Sequence, residues 1–322
     1  MSLIVGIGTS RGLFLITSPQ PGEPWKMVSQ GLTGKAITCI CPTSGGTLLA
    51  GASPGSVYRT RDFENWDTLY EGIKHPAIHA LASDPTHPDR VYCGTAPASL
   101  FRSNDGGSHF EQLAALNQQP SASNWTFAAA PYRPRLLRLL VHPTKPSIVI
   151  AAVRTGGLYI SADSGESWRD RTQGASRDIT DFIIHPAQPS RIYATTSAGF
   201  FRSDDLGVTW AMHNAGLTHL LAGPMATAVD ESDVIFIATH RSKDGGPYLM
   251  RSPNGGANWT ICPGTLPYRP ESQVTAMTSA KGHVFVGTNQ GELFGTTNFG
   301  ESWQILRSQF PPILAISVVY QS

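Results

Sequence analysis

The chain has 322 residues, enough for one large all-β unit or two ordinary domains. Its formal charge of +1 predicts no nucleic-acid partner, and no apolar run approaches the length of a membrane span, so no membrane partner is expected. The N-terminus lacks the basic region of a signal peptide, which predicts a cytoplasmic protein. In that compartment we expect Cys39, Cys41, Cys93 and Cys262 to be free thiols.

The predicted strands follow one order along the chain. It begins with two apolar segments, Leu3–Gly8 and Gly12–Ile16. Each later unit has an apolar strand, a Pro-containing turn, a second strand, a small-residue loop, a third strand and a fourth strand that starts at an aromatic residue. Clear examples are the first strands Ile37–Cys41, Leu136–Val141 and Ile179–Ile184, the second strands Ile148–Val153 and Ile192–Thr196, and the third strands Leu158–Ile160 and Phe200–Arg202. The N-terminal unit lacks a first strand, which Ile313–Tyr320 supplies from the other end of the chain.

A turn that ends in an aromatic residue recurs seven times, and we call these segments the repeat turns. They are Ser18–Trp25, Thr60–Trp66, Ser103–Phe110, Ser161–Trp168, Ser203–Trp210, Ser252–Trp259 and Thr296–Trp303. In the clearest copy, SADSGESW, the carboxylate of Asp163 can accept backbone N–H bonds two residues on, and Gly165 tolerates positive φ. Trp168 is expected to begin the next strand and to bury its ring between neighbouring sheets.

The spacing of the repeat turns predicts the fold. The intervals between their aromatic residues are 41, 44, 58, 42, 49 and 44 residues, which is typical of propeller blades with four strands. We therefore predict an all-β, seven-bladed β-propeller with four-stranded antiparallel blades, closed by the C-terminal strand joining the N-terminal blade. A ring closed in this way has no open sheet edge. We expect one domain over residues 1–322, and a monomer.

The repeat turns resemble the Asp-box, or BNR, repeat of sialidases, sortilin-type receptors, xyloglucan-degrading glycosidases and a photosystem II assembly factor. The resemblance covers essentially the whole chain and implies a propeller scaffold, most similar to bacterial single-propeller proteins described as sialidase-like. In those families the Asp box lies away from the ligand, which implies a structural role for the repeat acids. The chain lacks the Arg-Ile-Pro phrase of sialidases, and xyloglucan hydrolases use a cleft between two propellers.

Because strands in a blade alternate in direction, the connections fall on two rims. The repeat turns and the Pro-containing turns share the bottom rim, where His142 and His185 are expected to be structural. The top rim holds the loops between second and third strands and the connections between blades. Bottom connections carry fourteen acids and five bases, whereas top connections carry eleven bases and five acids. The top rim is thus predicted to be basic, and it also holds two insertions, residues 117–135 and 240–247, in loops of the kind that often carry function.

Arg138 is the main candidate for a functional residue. It interrupts an otherwise apolar first strand beside the central channel, and Asp181 occupies the matching position one blade later. A salt bridge between neighbouring blades would explain both residues. Alternatively, Arg138, Arg154 and Arg11 would clamp an anion at the channel mouth, since guanidinium groups match the geometry of carboxylate and phosphate.

Other candidates lie in the top loops. His240 and Arg241 open one insertion, and Tyr268 and Arg269 belong to a Pro-Tyr-Arg-Pro phrase that suits recognition but would also simply rigidify a long loop. His79 could face the same mouth. No residues stand at metal-ligand spacing, so neither a metal nor a cofactor is predicted.

The predicted function is a ligand- or protein-binding propeller whose basic top face recognises an anionic small molecule, a glycan or an acidic protein segment. The alternative is a glycan-active hydrolase or lyase of the sialidase-like type with its active site at the channel mouth. Such an enzyme needs two carboxylates that flank the bond, and Asp178, Asp181 or Glu271 would act there, although no motif assigns catalytic residues. A third alternative is a purely structural scaffold.

Overall fold

The computed structural model describes residues 3–18, 23–126, 133–217, 222–227, 233–239, 248–262, 266, 272–280 and 282–320. In these ranges the chain forms seven four-stranded antiparallel sheets arranged as the blades of a ring. The predicted fold is therefore confirmed. Two short 3-10 helices, Ala114–Leu116 and Pro120–Asn124, interrupt the strands, and no helix in the described ranges is long and apolar enough to cross a membrane.

Each blade is one sheet, with its innermost strand at the channel and its outermost strand at the periphery of the ring. From the channel outwards, blade 1 comprises β28 (Ile313–Tyr320), β1 (Leu3–Thr9), β2 (Gly12–Ser18) and β3 (Lys26–Gly31). Blade 2 comprises β4 (Ile37–Pro42), β5 (Leu48–Ala52), β6 (Val57–Thr60) and β7 (Asp67–Leu69). Blade 3 comprises β8 (Ile78–Ser83), β9 (Val91–Thr95), β10 (Leu100–Ser103) and β11 (Glu111–Gln112). Blade 4 comprises β12 (Leu136–Val141), β13 (Val149–Val153), β14 (Gly157–Ser161) and β15 (Arg169–Asp170).

The remaining three blades repeat this order. Blade 5 comprises β16 (Ile179–Ile184), β17 (Ile192–Thr196), β18 (Gly199–Ser203) and β19 (Ala211–Met212). Blade 6 comprises β20 (Ala222–Thr227), β21 (Ile235–Thr239), β22 (Leu249–Ser252) and β23 (Thr260–Ile261). Blade 7 comprises β24 (Val274–Ala280), β25 (His283–Thr288), β26 (Glu292–Thr296) and β27 (Gln304–Ser308).

The ring closes through its two ends, as predicted. β28 pairs antiparallel with β1, with Leu3 opposite Tyr320 and Gly8 opposite Ala315. β28 also contacts β4 and β24, the inner strands of the two adjacent blades. The last strand of the chain is therefore the innermost strand of blade 1.

The hydrophobic core lies between adjacent blades. One cluster joins blades 3 and 4 through buried Tyr92, Leu136, Tyr159 and Trp168. Every residue of β13 is buried, since both faces of a middle strand are covered by neighbouring blades. This arrangement explains why second strands read as short continuous apolar runs, whereas a half-exposed strand would alternate.

Hydrogen bonds within each repeat turn hold it closed. Ser161 Oγ accepts the N–H of Gly165 at 2.8 Å and donates to Asp163 Oδ1 at 2.7 Å. The same Asp163 oxygen accepts the N–H of Ser167 at 2.9 Å, four residues on, where the sequence pattern predicted two. The reason is a pair of left-handed residues, Ser164 (φ 61°) and Gly165 (φ 97°), which fold the chain back over the carboxylate.

The aromatic residues at the ends of the repeat turns differ in burial. Phe110, Trp168, Trp259 and Trp303 are buried, whereas Trp25, Trp66 and Trp210 are half-buried. Each outer strand begins one residue after the aromatic, where the sequence analysis placed the aromatic in the strand. The indole of Trp210 donates to the carbonyl of Arg171 at 2.7 Å, and that of Trp259 to the carbonyl of His213 at 3.1 Å. These rings therefore tie the start of one outer strand to the end of the preceding blade.

In the Pro-containing turns, a histidine imidazole or an aspartate carboxylate accepts backbone N–H groups and so holds the turn closed. His185 Nδ1 accepts the N–H groups of Ala187 and Gln188 at 3.1 Å, and His142 Nδ1 accepts that of Lys145 at 3.1 Å. Asp84 fills the equivalent place in blade 3. Burial lowers the pKa of both histidines, which agrees with rings that accept from backbone N–H groups. The predicted structural role of His142 and His185 is confirmed.

The four cysteines are free, as predicted. Cys41, Cys93 and Cys262 are buried, and Cys39 is half-buried beside the channel. Burial raises the pKa of Cys39 to about 12 and that of Cys41 to about 11, so both thiols are protonated at neutral pH.

Candidate functional site

The inner strands surround a central channel of about 600 Å³. Apolar side chains from several blades line it. The charged and imidazole side chains among the described lining residues come only from blades 3, 4 and 5, and they are His79, Arg135, Arg138 and Asp181. A smaller cavity of about 240 Å³ lies towards the bottom rim, and Arg138 lines both spaces. Among the described lining residues, the charged and imidazole groups are therefore confined to one sector of the ring, whereas serine and threonine side chains also line the channel in blades 1, 2 and 7.

A β-bulge near the top end of the inner strands determines which residues occupy equivalent positions in different blades. The register shifts between Leu136 and Arg138 in β12 and between Ile179 and Asp181 in β16, and the five other inner strands shift near the same end. Bulges bend a strand and re-aim the following side chain. Arg138 and Asp181 each stand directly after the bulge, which confirms the predicted match between them.

Arg138 and Asp181 form an ion pair between blades 4 and 5. Arg138 Nη1 lies 2.5 Å from Asp181 Oδ1. The same carboxylate accepts the N–H of Phe182 and, through Oδ2, the N–H of Met225 in blade 6, both at 2.9 Å. Asp181 is 7% exposed. Of the two explanations left open by the sequence, the salt bridge between blades is what the structure shows, and a ligand role for either residue stays a prediction.

Arg154 makes a second link between the same blades, at the rim above the first. Its Nε lies 3.2 Å from Asp178 Oδ1, and its Nη1 donates to the carbonyl of Ile179 at 3.5 Å. The Nε–Oδ1 contact is not aligned as a hydrogen bond, so we regard it as an electrostatic contact. Both side chains keep 26% of their surface exposed. Arg154 and Asp178 are partly exposed but are not among the residues that line the channel, whereas Arg138 and Asp181 are.

Arg135 and His79 complete the cluster, although the sequence singled out only His79, as a residue that could face the mouth. Arg135 directly precedes β12, and its carbonyl accepts the N–H of Arg154 at 3.0 Å. Burial, together with the like charge of Arg154, lowers the pKa of Arg135. Burial and the charge of Arg135 lower the pKa of His79 to about 4, so its imidazole is neutral at pH 7.

An alignment of the blades would have found Arg135 from the sequence. In the six blades where the structure describes the residue before the inner strand, that residue is Pro312, Ala36, Ala77, Arg135, Asp178 or Gln273. Arg135 and Asp178 are the charged members of that set, and both belong to the cluster. A charged residue at a position where most other blades have an uncharged one is therefore the signal that would have identified Arg135 from the sequence.

The other predicted site residues do not join this cluster in the described ranges. Arg11 is exposed in the turn between β1 and β2 and is not among the residues that line the channel. Outside the described residues lie His240, Arg241, Tyr268, Arg269 and Glu271. Within the described ranges no group of three or more His, Cys, Asp or Glu side chains is placed to hold a metal ion.

The described part of the first insertion packs onto blade 4. Trp125 Nε1 donates to the hydroxyl of Tyr159 at 2.8 Å, and Ser121 Oγ donates to Asp170 Oδ2 at 3.0 Å. Arg177 also contacts Asp170, at 2.8 Å. This segment therefore braces the outer top face of the blade that carries Arg135, Arg138 and Arg154.

Charges at the bottom rim are extensively paired. Arg191 contacts Asp204 at 2.5 Å and Asp233 at 2.8 Å, and Arg251 contacts Glu301 at 2.5 Å. Arg251 belongs to a third strand and was not counted with the connections. The acid excess at this rim is therefore smaller than the count of connection residues indicated, because arginines of the third strands reach down to it.

Comparisons with known proteins agree with the fold. No family model matches the chain. A xyloglucanase from Paenibacillus sp. is 26% identical over 289 residues, covering 82% of this chain and 25% of that protein. The chain thus spans about a quarter of the length of the curated relatives that it matches first.

Two solved structures illustrate the architectural likeness. The GH74 xyloglucanase from Xanthomonas campestris has a TM-score of 0.64 and 18% identity, covering 84% of this chain and 45% of that one. YCF48 bound to D1 peptide has a TM-score of 0.63 and 16% identity, covering 89% of this chain and 86% of that one. At these identities the likeness shows the propeller fold alone.

Proposed function

We propose that this protein is a binding propeller whose channel mouth recognises an anionic ligand, either a small molecule or an acidic protein segment. The observation that carries the proposal is the charge of the cluster. Arg138 pairs with Asp181 and Arg154 contacts Asp178, and the charge of Arg154 lies close enough to Arg135 to lower its pKa together with burial. Arg135 and Arg138 line the channel of about 600 Å³.

The electrostatics of this cluster favour an anion. Two guanidinium groups placed side by side repel each other more strongly when they are partly buried, because the local dielectric is lower than that of water. A carboxylate or phosphate between Arg135 and Arg154 would relieve this repulsion and accept directed hydrogen bonds from both forks. Neutral His79 could add a single donor from blade 3.

The set of contacts that we propose extends over the top face. It includes Arg11, Arg138, Arg154, Asp181, His240, Arg241, Tyr268 and Arg269, together with Arg135 and His79 from the channel. YCF48 bound to D1 peptide offers a structural neighbour that engages a peptide. A cytoplasmic location, a monomeric state and the likeness of the repeat turns to the Asp box stay predictions from the sequence.

The proposal can be tested with one substitution and a matched control. Citrate and hexaglutamate serve as the small-molecule and peptide probes, with binding measured by titration calorimetry. Arg154→Gln should weaken binding of at least one probe roughly tenfold, the worth of one charge-assisted hydrogen bond. Arg177→Gln removes another top-rim arginine, which contacts Asp170 away from the channel, and should leave affinity unchanged. Equal loss in both variants, or none in Arg154→Gln, would rule the mouth out as the site.

A glycan-active enzyme is the second candidate, because the curated relatives are xyloglucanases. It would use Asp178 and Asp181, with Glu271 as a further acid. The contacts of Asp181 weigh against this candidate, since Oδ1 already accepts from Arg138 and the N–H of Phe182 and Oδ2 accepts from the N–H of Met225, so both oxygens are engaged within the protein. Xyloglucan oligosaccharides are the substrate to try. Turnover that is abolished by Asp181→Asn would establish this candidate over the binding proposal.

A further inference from the structure

The smaller cavity lies towards the bottom rim, between the lower ends of the inner strands of blades 4, 5, 6 and 7. Its volume is about 240 Å³, and pockets for drug-sized ligands measure roughly 300–1,000 Å³. An apolar cavity of about 150 Å³ holds a benzene molecule. The smaller cavity is therefore large enough for one benzene-sized ring with a single substituent.

Apolar side chains from four blades form part of the cavity wall. Leu140 comes from blade 4, Ile183 from blade 5, Met225 from blade 6 and Met277 from blade 7. Met277 also lines the channel, whereas Met225 is not among the described residues that line it. An organic ring bound against these side chains would remove apolar surface of both partners from water, which is favourable.

The polar side chains of the wall are one guanidinium and two hydroxyls, which belong to Arg138, Thr278 and Ser279. Arg138 donates from Nη1 to Asp181, but a guanidinium has several further N–H donors, and 34% of this side chain stays exposed. Within the described residues the hydroxyls of Thr278 and Ser279 make no hydrogen bond. The cavity therefore presents unused hydrogen-bonding groups beside its apolar surface.

The ion pair of Arg138 determines which charge a ligand of this cavity can carry. Asp181 Oδ1 lies 2.5 Å from Arg138 Nη1, so the charge of the guanidinium is already compensated. A ligand carboxylate at the same guanidinium would bring a second negative charge close to Asp181, and like charges in a partly buried site repel each other. A carbonyl oxygen of a neutral ligand accepts the same hydrogen bonds without that repulsion.

We infer that the smaller cavity binds a small neutral molecule with a carbonyl group at one end and an apolar ring at the other. The carbonyl oxygen accepts from Arg138 and from the hydroxyl of Ser279, and the ring lies against Ile183 and Met225. This second site is separate from the anion site proposed at the channel mouth, and neither site depends on the other.

Three ligands of similar shape test the inference in the intact protein. Benzamide carries a neutral carbonyl group, benzoate a charged carboxylate, and toluene no polar group. Binding is followed by NMR of the methionine methyl groups, because Met225 lines the smaller cavity and Met212 lies exposed on the outer strand β19. Benzamide should shift the Met225 resonance and leave that of Met212 in place. Benzoate and toluene should each bind roughly tenfold more weakly, because benzoate is repelled by Asp181 and toluene makes no hydrogen bond.

Two serine variants form a matched pair. Ser279→Ala removes a hydroxyl that lines the smaller cavity and should weaken benzamide binding roughly threefold to tenfold, the worth of one neutral hydrogen bond. Ser317→Ala removes a hydroxyl that lines the channel and is not among the described residues of the smaller cavity, so affinity should stay unchanged. Neither hydroxyl makes a hydrogen bond within the described residues, so both variants are expected to fold. A cooperative unfolding transition checks this.

The contrary outcomes are distinct. A Met225 resonance that stays in place at the solubility limit of benzamide overturns the site. Toluene binding as tightly as benzamide contradicts the polar end of the ligand, and benzoate binding as tightly contradicts its neutrality. Equal loss in the two serine variants, or none in Ser279→Ala, rules out the role given to Ser279. Binding of citrate and hexaglutamate at the mouth is measured separately, so failure of either proposal leaves the other standing.

Discussion

The bottom rim and the channel mouth both carry many charges but arrange them differently. At the bottom rim Arg102 lies 2.5 Å from Glu111 in its own blade and 2.8 Å from Glu166 in the next, so one cation meets two anions. At the mouth Arg154 contacts Asp178, and Arg135 adds a second positive charge beside it. In the first arrangement one arginine lies between two carboxylates, and in the second two arginines lie next to each other.

The difference follows from the repeat. Arg59 donates to the carbonyl of Gly106 at 3.0 Å, and Arg102 to that of Ser164 at 3.2 Å, each from a third strand to the next repeat turn. Contacts that recur in this way belong to the scaffold. Within the described inner strands the charged cluster at the mouth occurs once, in blades 4 and 5, and no local turn chemistry requires it. A charge that departs from the repeat is therefore the better guide to function.

The largest expected effect comes from breaking the buried ion pair between blades 4 and 5. Asp181→Ala leaves Arg138 without its partner and Met225 N–H without an acceptor, so it should lower the free energy of unfolding by about 3 kcal/mol. Urea denaturation measures the change as a lower midpoint at constant slope. Asp181→Asn keeps an acceptor and should lose less. A loss below about 1 kcal/mol in Asp181→Ala would mean that this pair does not hold the blades together.

The next effect tests a contact of the scaffold. Ser161→Ala removes the buried hydroxyl that accepts from Gly165 and donates to Asp163, and should cost about 1–2 kcal/mol. Ser167→Ala is the matched control, because its hydroxyl bonds the same carboxylate from an exposed position. The control should change the thermal midpoint much less. Equal losses in the two variants would contradict the role given to the buried serine.

Lowering the pH should gradually reduce the stability that the Pro-containing turns of His142 and His185 contribute. The pKa values of His142 and His185 are lowered in the folded state, so the unfolded chain binds more protons below its reference pKa of about 6.5. Their stabilising contribution is complete above that pH and falls as the pH drops towards the folded pKa. Thermal midpoints measured between pH 7.5 and 5 should show this fall.

A substitution taken from blade 3 sharpens the pH test. Asp84 occupies the same place there and accepts the N–H of Thr86 at 2.8 Å and that of His87 at 3.0 Å. His142→Asp should therefore keep the turn while removing part of the fall between pH 6.5 and 5. A pH curve parallel to that of the wild type would show that His142 does not contribute to it.

The smallest effect is expected at an exposed ion pair of the bottom rim. Glu301→Gln removes the partner of Arg251, and the carboxylate is more than half exposed. Exposed pairs contribute about 0.2–1 kcal/mol, and salt screens them. The loss should therefore shrink when unfolding is repeated at 1 M salt. A salt-independent loss larger than that of Ser161→Ala would contradict the expected order of these two substitutions.

Much of the fold could be read from the sequence, because it depends on local signals. The bounds of Leu136–Val141, Ile179–Ile184 and Ile313–Tyr320 agree with those observed, since each strand is an apolar run ended by turn residues. The closure of the ring was predictable because the N-terminal unit lacks a first strand and the C-terminal end of the chain has an additional one. The outer strands begin one residue later than predicted. The reason is that the hydrogen-bonded repeat turn extends further along the chain than the sequence pattern indicated.

The candidate site was only half predictable. Periodicity alone put Arg138 and Asp181 at equivalent positions, but two equivalent positions in neighbouring blades do not say whether the side chains meet. They are 43 residues apart in the chain, and only the closed ring brings them to 2.5 Å. The neighbouring placement of Arg135 and Arg154 was likewise decided by the tertiary structure.

The sequence by itself therefore determined the seven blades, their order and the way the ring closes, because turn chemistry and the alternation of strands act over a few residues. The tertiary structure alone decided which charged side chains pair between blades, and that the charged and imidazole groups among the described channel residues lie in one sector of the ring. These properties depend on distances between blades, which no short stretch of the chain encodes.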